Sequence, residues 1–242
     1  MVETSGSVTF IFVHYAVNEA RSELARKSIQ SLIDTTKNVL GEIIVVDNGG
    51  SLEDSKYFLE KAEKKEIQHY IRNADNLWFG YARNQAVKIS NGEFLAFTDN
   101  DILYQEGWIE ECLEVLKETK GQKLFVTPLE VDRAHLQQKY FIDKRNFCGK
   151  PMWINVFAGS NSWVMRREDF YIIGEFVNHP IAGTKWGREY ARLKYGVVVI
   201  PNPKAGHLGL KGTPYAGYNK GAEVTIEKTF TNSQKIILYP WK

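Results

Sequence analysis

The sequence predicts an α/β fold, a mostly parallel sheet flanked by helices with a smaller second lobe. Apolar runs of strand length alternate with segments of helical period through the first half of the chain. These runs lack polar alternation, which is typical of parallel strands that are covered on both faces and joined by right-handed crossovers. The 242 residues, 43% of them hydrophobic, suffice for one large core. We expect a Rossmann-like half over residues 1–128 and a second half over residues 129–242, in one continuous domain.

The first strand and helix lie at the start of this pattern. Val8 to Val13 is a continuous apolar run rich in β-branched and aromatic residues, which predicts a buried strand. The segment "NEARSELARKSIQSLIDT" follows, and its apolar residues Leu24, Ile29, Leu32 and Ile33 fall near helical spacing. The pair predicts one strand and helix unit.

Three further strands are predicted in the same half. "EIIVVDNGG" is the second strand, and Ser51 opens the capping-box-like "SLED" before the helix "SKYFLEKAEKK". "IQHYI" is the third strand and precedes the helix-like "GYARNQAVKIS". "GEFLAFTDND" is the fourth strand and precedes "EGWIEECLEVLKET". The alternation of strand and helix therefore runs to Pro128.

The second half is less regular. Leu129 to Asn161 is rich in aromatic residues and mixed charge, without a clear period. "RREDFYIIGEF" and "GREYARLKYG" predict short helices, and "VVVIPNP" a late strand. Lys211 to Lys220 predicts a glycine-rich loop able to close over a ligand, with a plain surface loop as the alternative. The tail fits a strand, an amphipathic segment or an oligomer contact.

Composition and motifs exclude several classes of protein. The net charge is only +2, which gives no electrostatic basis for binding nucleic acid through a basic face. No G-x-G-x-x-G follows the first strand and no P-loop is found, which excludes those two nucleotide-binding classes. Cys112 and Cys148 lack metal-ligand spacing and fit a reducing compartment.

Localisation follows from the absence of targeting patterns. The N-terminus carries Glu3 and no basic region before its short apolar run, so we interpret it as a first strand and not a signal peptide. No apolar stretch approaches the ~20 residues that span a bilayer. We expect a cytoplasmic protein, with peripheral membrane contact left open.

Polar residues gather where the predicted strands end. Ligands of open α/β sheets bind at the carboxyl ends of the strands. Four groups lie there: His14 with Tyr15, Asp47 to Gly50, Asn73 to Asn76, and Asp99 to Asp101. Asp, Asn and Gly also cap helices and form turns, so any one group alone has that alternative interpretation.

Asp99 and Asp101 interrupt the apolar run "FLAFTDNDILY". Two carboxylates at the edge of a core are unfavourable unless a positive group lies between them. Their oxygen atoms are suited to Mg²⁺ or Mn²⁺, which would neutralise a bound diphosphate. Asp47, at the end of another strand, is suited to accept hydrogen bonds from a base or ribose.

These motifs, taken in order, resemble a known family. "IIVVDNGG", "NADNLWFGYARNQAVKISNGEFLAFTDND" and the later "FAGSNSWVMRREDFYIIGEF" are similar to the inverting family 2 glycosyltransferases of the GT-A fold. The resemblance covers Val8 to about Tyr104 and the later segment. A lone Asp-x-Asp is weak evidence, but its place behind a matching helix and strand makes the combination specific.

The resemblance implies an activity and its partners. A sugar would pass from a nucleotide-diphosphate donor, most often a UDP-sugar, to a hydroxyl of a glycan or lipid-linked acceptor. The transfer would invert the anomeric centre and use Mn²⁺ or Mg²⁺. The second half of the chain would bind the acceptor.

The resemblance also assigns residues. Asp47 would contact the nucleobase, Arg83 would lie near the diphosphate, Asp99 would meet the ribose or sugar, and Asp101 would bind the cation. His207 in "KAGHLG" lies where the family places a further metal ligand or phosphate contact, with a plain loop histidine as the alternative. The donor-binding set is completed by His14, Tyr15, Asn76 and Asn100.

The general base is the least regular part of the resemblance. The family supplies it from a Glu-Asp pair, whereas "KWGREYARLKYG" has Glu189 beside Arg188. Glu189 is the predicted base, with an ion-paired helix glutamate as the alternative. The short spacing from Gly187 to Gly196 allows a shifted alignment that leaves no carboxylate in place, with Asp169 or Glu175 as second candidates.

The sequence also leaves alternatives for the role of Trp186 and for the function of the whole protein. Trp186 is predicted to stack on the acceptor sugar because it lies near Glu189, although large aromatic residues are more often in the core. Other functions are a catalytically silent carbohydrate- or nucleotide-binding module and a sugar-phosphate nucleotidylyltransferase. The latter should carry a Gly-, Arg- and Lys-containing loop after its first strand, and "VHYAVNEARSE" lacks it.

Overall fold

The computed structural model describes residues 6–130, 140–156, 162–179 and 182–207, without the side chains at positions 202, 203 and 207. The glycine-rich segment Lys211 to Lys220 and the C-terminal tail lie outside the described residues. No helix in the described ranges is long and apolar enough to cross a membrane.

Helices and strands alternate through the first half as the sequence predicts. The helices are α1 Glu19–Thr36, α2 Leu52–Glu63, α3 Trp78–Ile89, α4 Trp108–Glu118, α5 Arg167–Ile173 and α6 Ala182–Arg192. The first six strands are β1 Val8–His14, β2 Gly41–Asn48, β3 His69–Asn73, β4 Phe94–Asp99, β5 Ile102–Tyr104 and β6 Leu124–Glu130. The remaining strands are β7 Phe141–Phe147, β8 Lys150–Asn155, β9 Ser162–Arg166 and β10 Gly196–His207.

One sheet joins both halves of the chain. Within the described ranges the strand order is β3-β2-β1-β4-β9-β6-β10-β8-β7, and β5 pairs with β10. Strands β3, β2, β1 and β4 are mutually parallel, as expected, and β6 is parallel to β10. Strand β9 runs antiparallel between β4 and β6. The predicted α/β class is confirmed, and Pro128 lies inside β6 instead of at a break in the sheet.

Helices cover both faces of this sheet. Helices α1, α2 and α4 pack on one face through buried side chains such as Ile29, Phe58 and Leu113. Helices α3, α5 and α6 cover the other face, with Ala86 and Phe170 among the buried contacts. The central strands are therefore shielded on both sides, which explains why their sequences are continuously apolar.

Local signals explain where the helices of the first half begin. The side chain of Asn18 accepts a hydrogen bond from the Arg21 amide and caps α1. Ser51 accepts from the Asp54 amide at 3.1 Å, so the predicted cap of α2 is confirmed.

Gly49 adopts φ +88° in the turn after β2, where an added Cβ would lie 2.8 Å from the backbone of Asp75.

The hairpin of β7 and β8 was not anticipated. The sequence shows no period over Leu129 to Asn161, yet residues 141–155 form two antiparallel strands. Strand β7 is exposed over all but its last residue, so its sequence carries no apolar alternation by which a strand could be recognised.

Candidate active site

The carboxyl ends of the four parallel strands form one edge of the sheet. His14 is in register with Asp47, Val13 with Asp99, and Asn48 with Asn73. The structure therefore brings the predicted strand-end residues to one line across the sheet. This edge, with the loops that follow it, is the crevice described below.

Asp99 is held by a buried arginine. The Arg83 Nη2 atom donates to Asp99 Oδ1 at 2.7 Å, and the Arg83 side chain is fully buried whereas that of Asp99 is 28% exposed. The Arg83 guanidinium lies 5.0–5.6 Å from the ring centroids of Phe79, Phe97, Trp163 and Phe176. Burial lowers the pKa of Arg83, and the charge of Asp99 opposes that shift. Arg83 thus lies behind Asp99, inside an aromatic cage.

Asp101 has a buried arginine of its own. Arg21 Nη2 donates to Asp101 Oδ2 at 3.1 Å, and the two side chains are 1% and 11% exposed. Arg21 lies in the first turn of α1, on the same face as Leu24, Ala25 and Ser28. Sequence reasoning missed this residue, although a charge on an otherwise buried helix face was a usable signal.

The turn between Asp99 and Ile102 is fixed by neighbouring groups. Ser28 Oγ lies 2.6 Å from the carbonyl oxygen of Ile102 and 3.1 Å from that of Asp99, and its single hydroxyl proton is shared between these two acceptors. Asn100 Nδ2 donates to the carbonyl of Tyr15 at 2.9 Å. The predicted donor residues Tyr15 and Asn100 are thereby brought together, with Tyr15 half-buried at the crevice.

Asp47 is fully buried and accepts four hydrogen bonds. Its Oδ2 atom accepts from Ser55 Oγ, Tyr70 OH and Arg72 Nη1 at 2.6–2.9 Å, and Oδ1 accepts from the Gly50 amide. Burial raises the pKa of Tyr70 to about 12, and the hydrogen bond to Asp47 adds to the shift. Among these donors the Arg72 side chain, 36% exposed, is the most accessible.

His14 is turned toward α2. Its Nε2 lies 3.2 Å from Asp54 Oδ2, and both side chains are fully buried. Asp54 also accepts from Ser22 Oγ at 2.6 Å and from Arg26 Nη2 at 3.0 Å. Although burial acts to raise the pKa of Asp54, hydrogen bonds from His14 and Ser22 lower it well below its usual range. The predicted role of His14 in donor binding stays a prediction.

A network of side-chain amides shapes the loop between β3 and α3. Asn48 Nδ2 donates to Asn76 Oδ1 at 2.8 Å, and Asn48 Oδ1 accepts from Asn73 and from the Leu77 amide. Asn76 Oδ1 also accepts from the Trp78 amide at 2.9 Å. Asn76, a predicted donor residue, therefore lies at the crevice and orders the start of α3.

Glu189 lies in the second half of α6, on the face of the sheet that this helix covers. Helix α6 begins beside Gly80, where an added Cβ would lie 2.7 Å from Ala182, and it leads back to Gly196 at the start of β10. Glu189 is seven residues into this helix, about 10 Å from its start, and pairs with Arg192 at 2.9 Å with 50% of its side chain exposed. Its role as base stays a prediction, one that this placement does not favour.

The second candidates for the base lie near the opposite edge. Asp169 accepts from Tyr195 OH at 2.8 Å and follows Arg166, which pairs with Phe94 at the amino end of β4. Burial raises the pKa of Asp169. Glu175 pairs with Lys88 in the last turn of α3, at 3.5 Å.

Trp186 lies in the core between α6 and the sheet. It is 2% exposed, and its ring stacks on those of Trp163 and Phe176 with centroids 4.9 and 4.8 Å apart. Its Nε1 donates to the Gly174 carbonyl at 2.7 Å. The predicted stacking of Trp186 on an acceptor sugar stays a prediction, which the burial of its ring does not favour.

Glu130 is a buried carboxylate that no sequence motif indicated. It ends β6 and pairs with Ala205 of β10, which pairs on its other side with Tyr104. Burial, together with the charges of Asp99, Glu130 and Asp101, raises the pKa of Tyr104 well above its usual value. Glu130 therefore belongs to the charged surroundings of the Asp-x-Asp pair.

The Asp-x-Asp pair fits a hard divalent cation. Both carboxylates are partly exposed and offer oxygen ligands. Within the described ranges no three His, Cys, Asp or Glu side chains converge as a metal site. His207 pairs through its backbone with Ile102, but its side chain lies outside the described residues. The remaining ligands would come from a bound diphosphate, from water, or from residues outside the described ranges.

The mostly parallel sheet with helices on both faces is the fold of the GT-A glycosyltransferases. The profile of the family described as "Glycosyl transferase family 2" matches residues 13–172. The chain belongs to glycosyl transferase family 2, as its motifs indicated.

Individual relatives agree with this class. The polypeptide N-acetylgalactosaminyltransferase 9 of Macaca fascicularis is 30% identical over 167 residues, which is 67% of this chain and 27% of the relative. Among solved structures, a mannosyltransferase from Pyrobaculum calidifontis in complex with GDP-Man and Mn²⁺ superposes with TM-score 0.64 at 14% identity, over 95% of this chain and 64% of the other. GalNAc-T7 with UDP, GalNAc and Mn²⁺ superposes with TM-score 0.62 at 14% identity, over 85% of this chain and 44% of the other.

Proposed function

We propose that the protein transfers a sugar from a nucleotide-diphosphate donor, a UDP-sugar by the family's usual preference, to a hydroxyl of a glycan or lipid-linked acceptor, with inversion. The observation that carries the proposal is the Asp99-Asn100-Asp101 turn at the carboxyl edge. Each of its carboxylates is held by a buried arginine.

A divalent cation, Mn²⁺ or Mg²⁺, would be held by Asp101, with Asp99 oriented toward the donor. When bound, it would neutralise charge on the leaving diphosphate. The two similar solved structures contain Mn²⁺, which supports a metal-dependent reaction. Arg83 would hold Asp99 in place, because its guanidinium is buried behind that carboxylate.

The nucleoside would bind where β2 and β3 end. Asp47 and Arg72 are paired there at 2.9 Å, and together they offer an acceptor and donors to the edge of a base. The similar structures contain UDP in one case and GDP-Man in the other. UDP is our first choice, and the experiment below includes both.

The base that takes the proton from the acceptor hydroxyl has two candidates. Glu189 is indicated by sequence. Glu130 is indicated by position, since it ends β6 and its charge acts on Tyr104, as do the charges of Asp99 and Asp101. We expect Glu130→Gln to lower transfer by about 100-fold or more, and Glu189→Gln to change it less than threefold, because Glu189 lies in the second half of α6, paired with Arg192. Initial rates of transfer, with nucleotide affinity as the control, measure both. The reverse result would restore Glu189 as the base.

The function is tested by screening UDP-, GDP- and TDP-sugars with and without Mn²⁺, by thermal shift and by release of the nucleoside diphosphate. We expect stabilisation and release with one donor class in the presence of Mn²⁺. Binding without release or transfer to any acceptor would favour the silent binding module. No shift with any donor would contradict the proposed function.

A further inference from the structure

Trp78, the first residue of α3, has a backbone conformation that suits glycine. Its φ angle is +63°, in the left-handed region. For a bulky side chain this region is a true outlier, because Cβ crowds the neighbouring backbone. Such strain persists only when the surrounding structure imposes it, and it is concentrated at functional sites.

The conformation of Trp78 is imposed by the amide network described above. Asn76 Oδ1 accepts from the Trp78 amide, and Asn48 Oδ1 accepts from the Leu77 amide. Asn48 is 1% exposed and is fixed in turn by Asn73. Three amide side chains from two strand ends and the loop therefore hold the backbone of residues 76–78.

The indole of Trp78 contributes little to core packing that could offset the backbone strain. It is 36% exposed, and it makes no aromatic contact within the described ranges. Its neighbour Phe79 points inward instead, onto Arg83 and Phe176. The fold thus accepts a strained residue whose side chain stays partly exposed, although glycine would satisfy the same backbone without strain.

The position of this ring indicates its use. The loop before Trp78 packs on Gly49, directly after the Asp47 strand, and Arg83, which holds Asp99, is five residues further along α3. Five helical residues rise about 7.5 Å. Other non-glycine residues with positive φ in the described ranges are Lys65, Cys148 and Lys194, which lie in turns after α2, β7 and α6. Trp78 is the one at the crevice.

We propose that the Trp78 indole is a specificity-determining platform that stacks on a flat ring of the donor. Both the nucleobase and the apolar face of the sugar offer such a surface, and the crevice holds both in the proposed function, on which this inference rests. The strained backbone keeps the ring at the edge of the crevice instead of letting it turn into the core.

Three substitutions distinguish the effect of the Trp78 ring from that of its strained backbone. Trp78→Phe keeps an aromatic face, whereas Trp78→Asn and Trp78→Gly remove it and suit positive φ. We expect the Asn and Gly variants to bind nucleotide sugar about tenfold more weakly, and the Phe variant to stay within about threefold of the wild type. Lys65→Gly, which relieves a φ of 60° in the turn after α2, is the matched control and should bind as the wild type does.

Affinities for the nucleotide sugar and for the free nucleoside diphosphate, measured by calorimetry with Mn²⁺, identify the ring that stacks. Equal losses for both ligands assign the base, and a loss for the nucleotide sugar alone assigns the sugar. Unchanged affinity in Trp78→Gly and Trp78→Asn, with wild-type binding intact, would overturn this inference and leave the proposed function standing. A wild-type protein that binds no nucleotide would overturn both.

Discussion

At the scale of single residues, the central feature is the pairing of each Asp-x-Asp carboxylate with its own buried arginine. Arg83 reaches Asp99 from α3, and Arg21 reaches Asp101 from α1. A buried carboxylate without a counter-charge is strongly unfavourable. Each arginine supplies the counter-charge for one carboxylate at the edge of an apolar strand.

Removing Arg21 tests this pairing. Arg21→Met should destabilise the protein by about 3–5 kcal/mol, because it leaves the Asp101 charge buried without its partner. It should also weaken Mn²⁺ activation by about tenfold or more, because Asp101 loses the group that orients it. Denaturant unfolding and the Mn²⁺ dependence of nucleotide release measure the two effects.

The double variant Arg21→Met/Asp101→Asn is the control for this prediction. It removes the uncompensated charge, so it should regain part of the lost stability while remaining poorly activated by metal. If Arg21→Met alone were as stable as the wild type, the pair would not have the structural role we assign to it.

At the scale of elements, α1 and α2 are joined to β1 by a buried charged group. Asp54 on α2 contacts His14 at the end of β1, and Ser22 and Arg26 on α1. These contacts hold the helices against the strand end that forms the crevice. The acidity of Asp54 is therefore linked to the packing of three elements.

This link predicts a pH dependence of stability. The pKa of Asp54 in the folded state lies well below its usual value. Asp54 therefore contributes its full stabilisation at pH values above its unfolded-state pKa of about 4, and this contribution is lost as the pH falls below about 4. Asp54→Asn should lower the free energy of unfolding at pH 7 and flatten its decline below about pH 4. Urea unfolding from pH 7 to pH 3 measures this, and parallel curves for the two proteins would contradict it.

The aromatic layer under α6 is a second feature at this scale. Trp163, Phe176 and Trp186 stack with one another, and Arg83 contacts two of these rings. The layer therefore supports both the helix and the arginine that holds Asp99. We expect substitutions that disrupt this layer to act first on the free energy of unfolding.

Shortening Trp186 tests its assignment to the core. Trp186→Ala should reduce the free energy of unfolding by about 3–5 kcal/mol, whereas Trp186→Phe should cost less because much of the volume is kept. In the Phe variant we expect an acceptor KM close to that of the wild type, since the ring is buried. A large rise in acceptor KM at wild-type stability would instead support the sequence-based prediction that Trp186 binds acceptor.

At the scale of the whole molecule, one sheet brings the crevice residues together from both halves of the chain. Strand β10, from the end of the described region, lies between β6 and β8 and also pairs with β5 after the Asp-x-Asp turn. A ligand at this edge would contact loops from several elements, so we expect binding to stabilise the sheet as a unit.

Donor binding should raise the stability of the folded state by a measurable amount. A donor at 100 times its Kd adds about 2.7 kcal/mol to folded-state stability, which corresponds to a rise in Tm of about 5–10 °C for a protein of this size. We expect the rise with nucleotide and Mn²⁺ together and a much smaller one with either alone. Asp101→Asn should abolish the metal-dependent part, and an undiminished rise in that variant would place the metal elsewhere.

The sequence by itself determined the α/β class, the order of the first strands and helices, and the polar groups at the strand ends. These follow from local signals, namely continuous apolar runs, helical spacing and capping residues, which act over a few positions. The exposed hairpin of β7 and β8 was not found, because an edge strand without a buried face carries no such pattern.

Only the tertiary structure decided which residues contact each other at the crevice. Arg21 and Asp101 are 80 positions apart, and nothing local to either predicts the pair. The same holds for Glu130 near Tyr104, for Trp186 in the core, and for the pairing of Glu189 with Arg192 on the surface of α6. Local sequence signals determine where strands and helices form. Which side chains share a site depends on how elements distant in sequence pack together, so only the tertiary structure decides it.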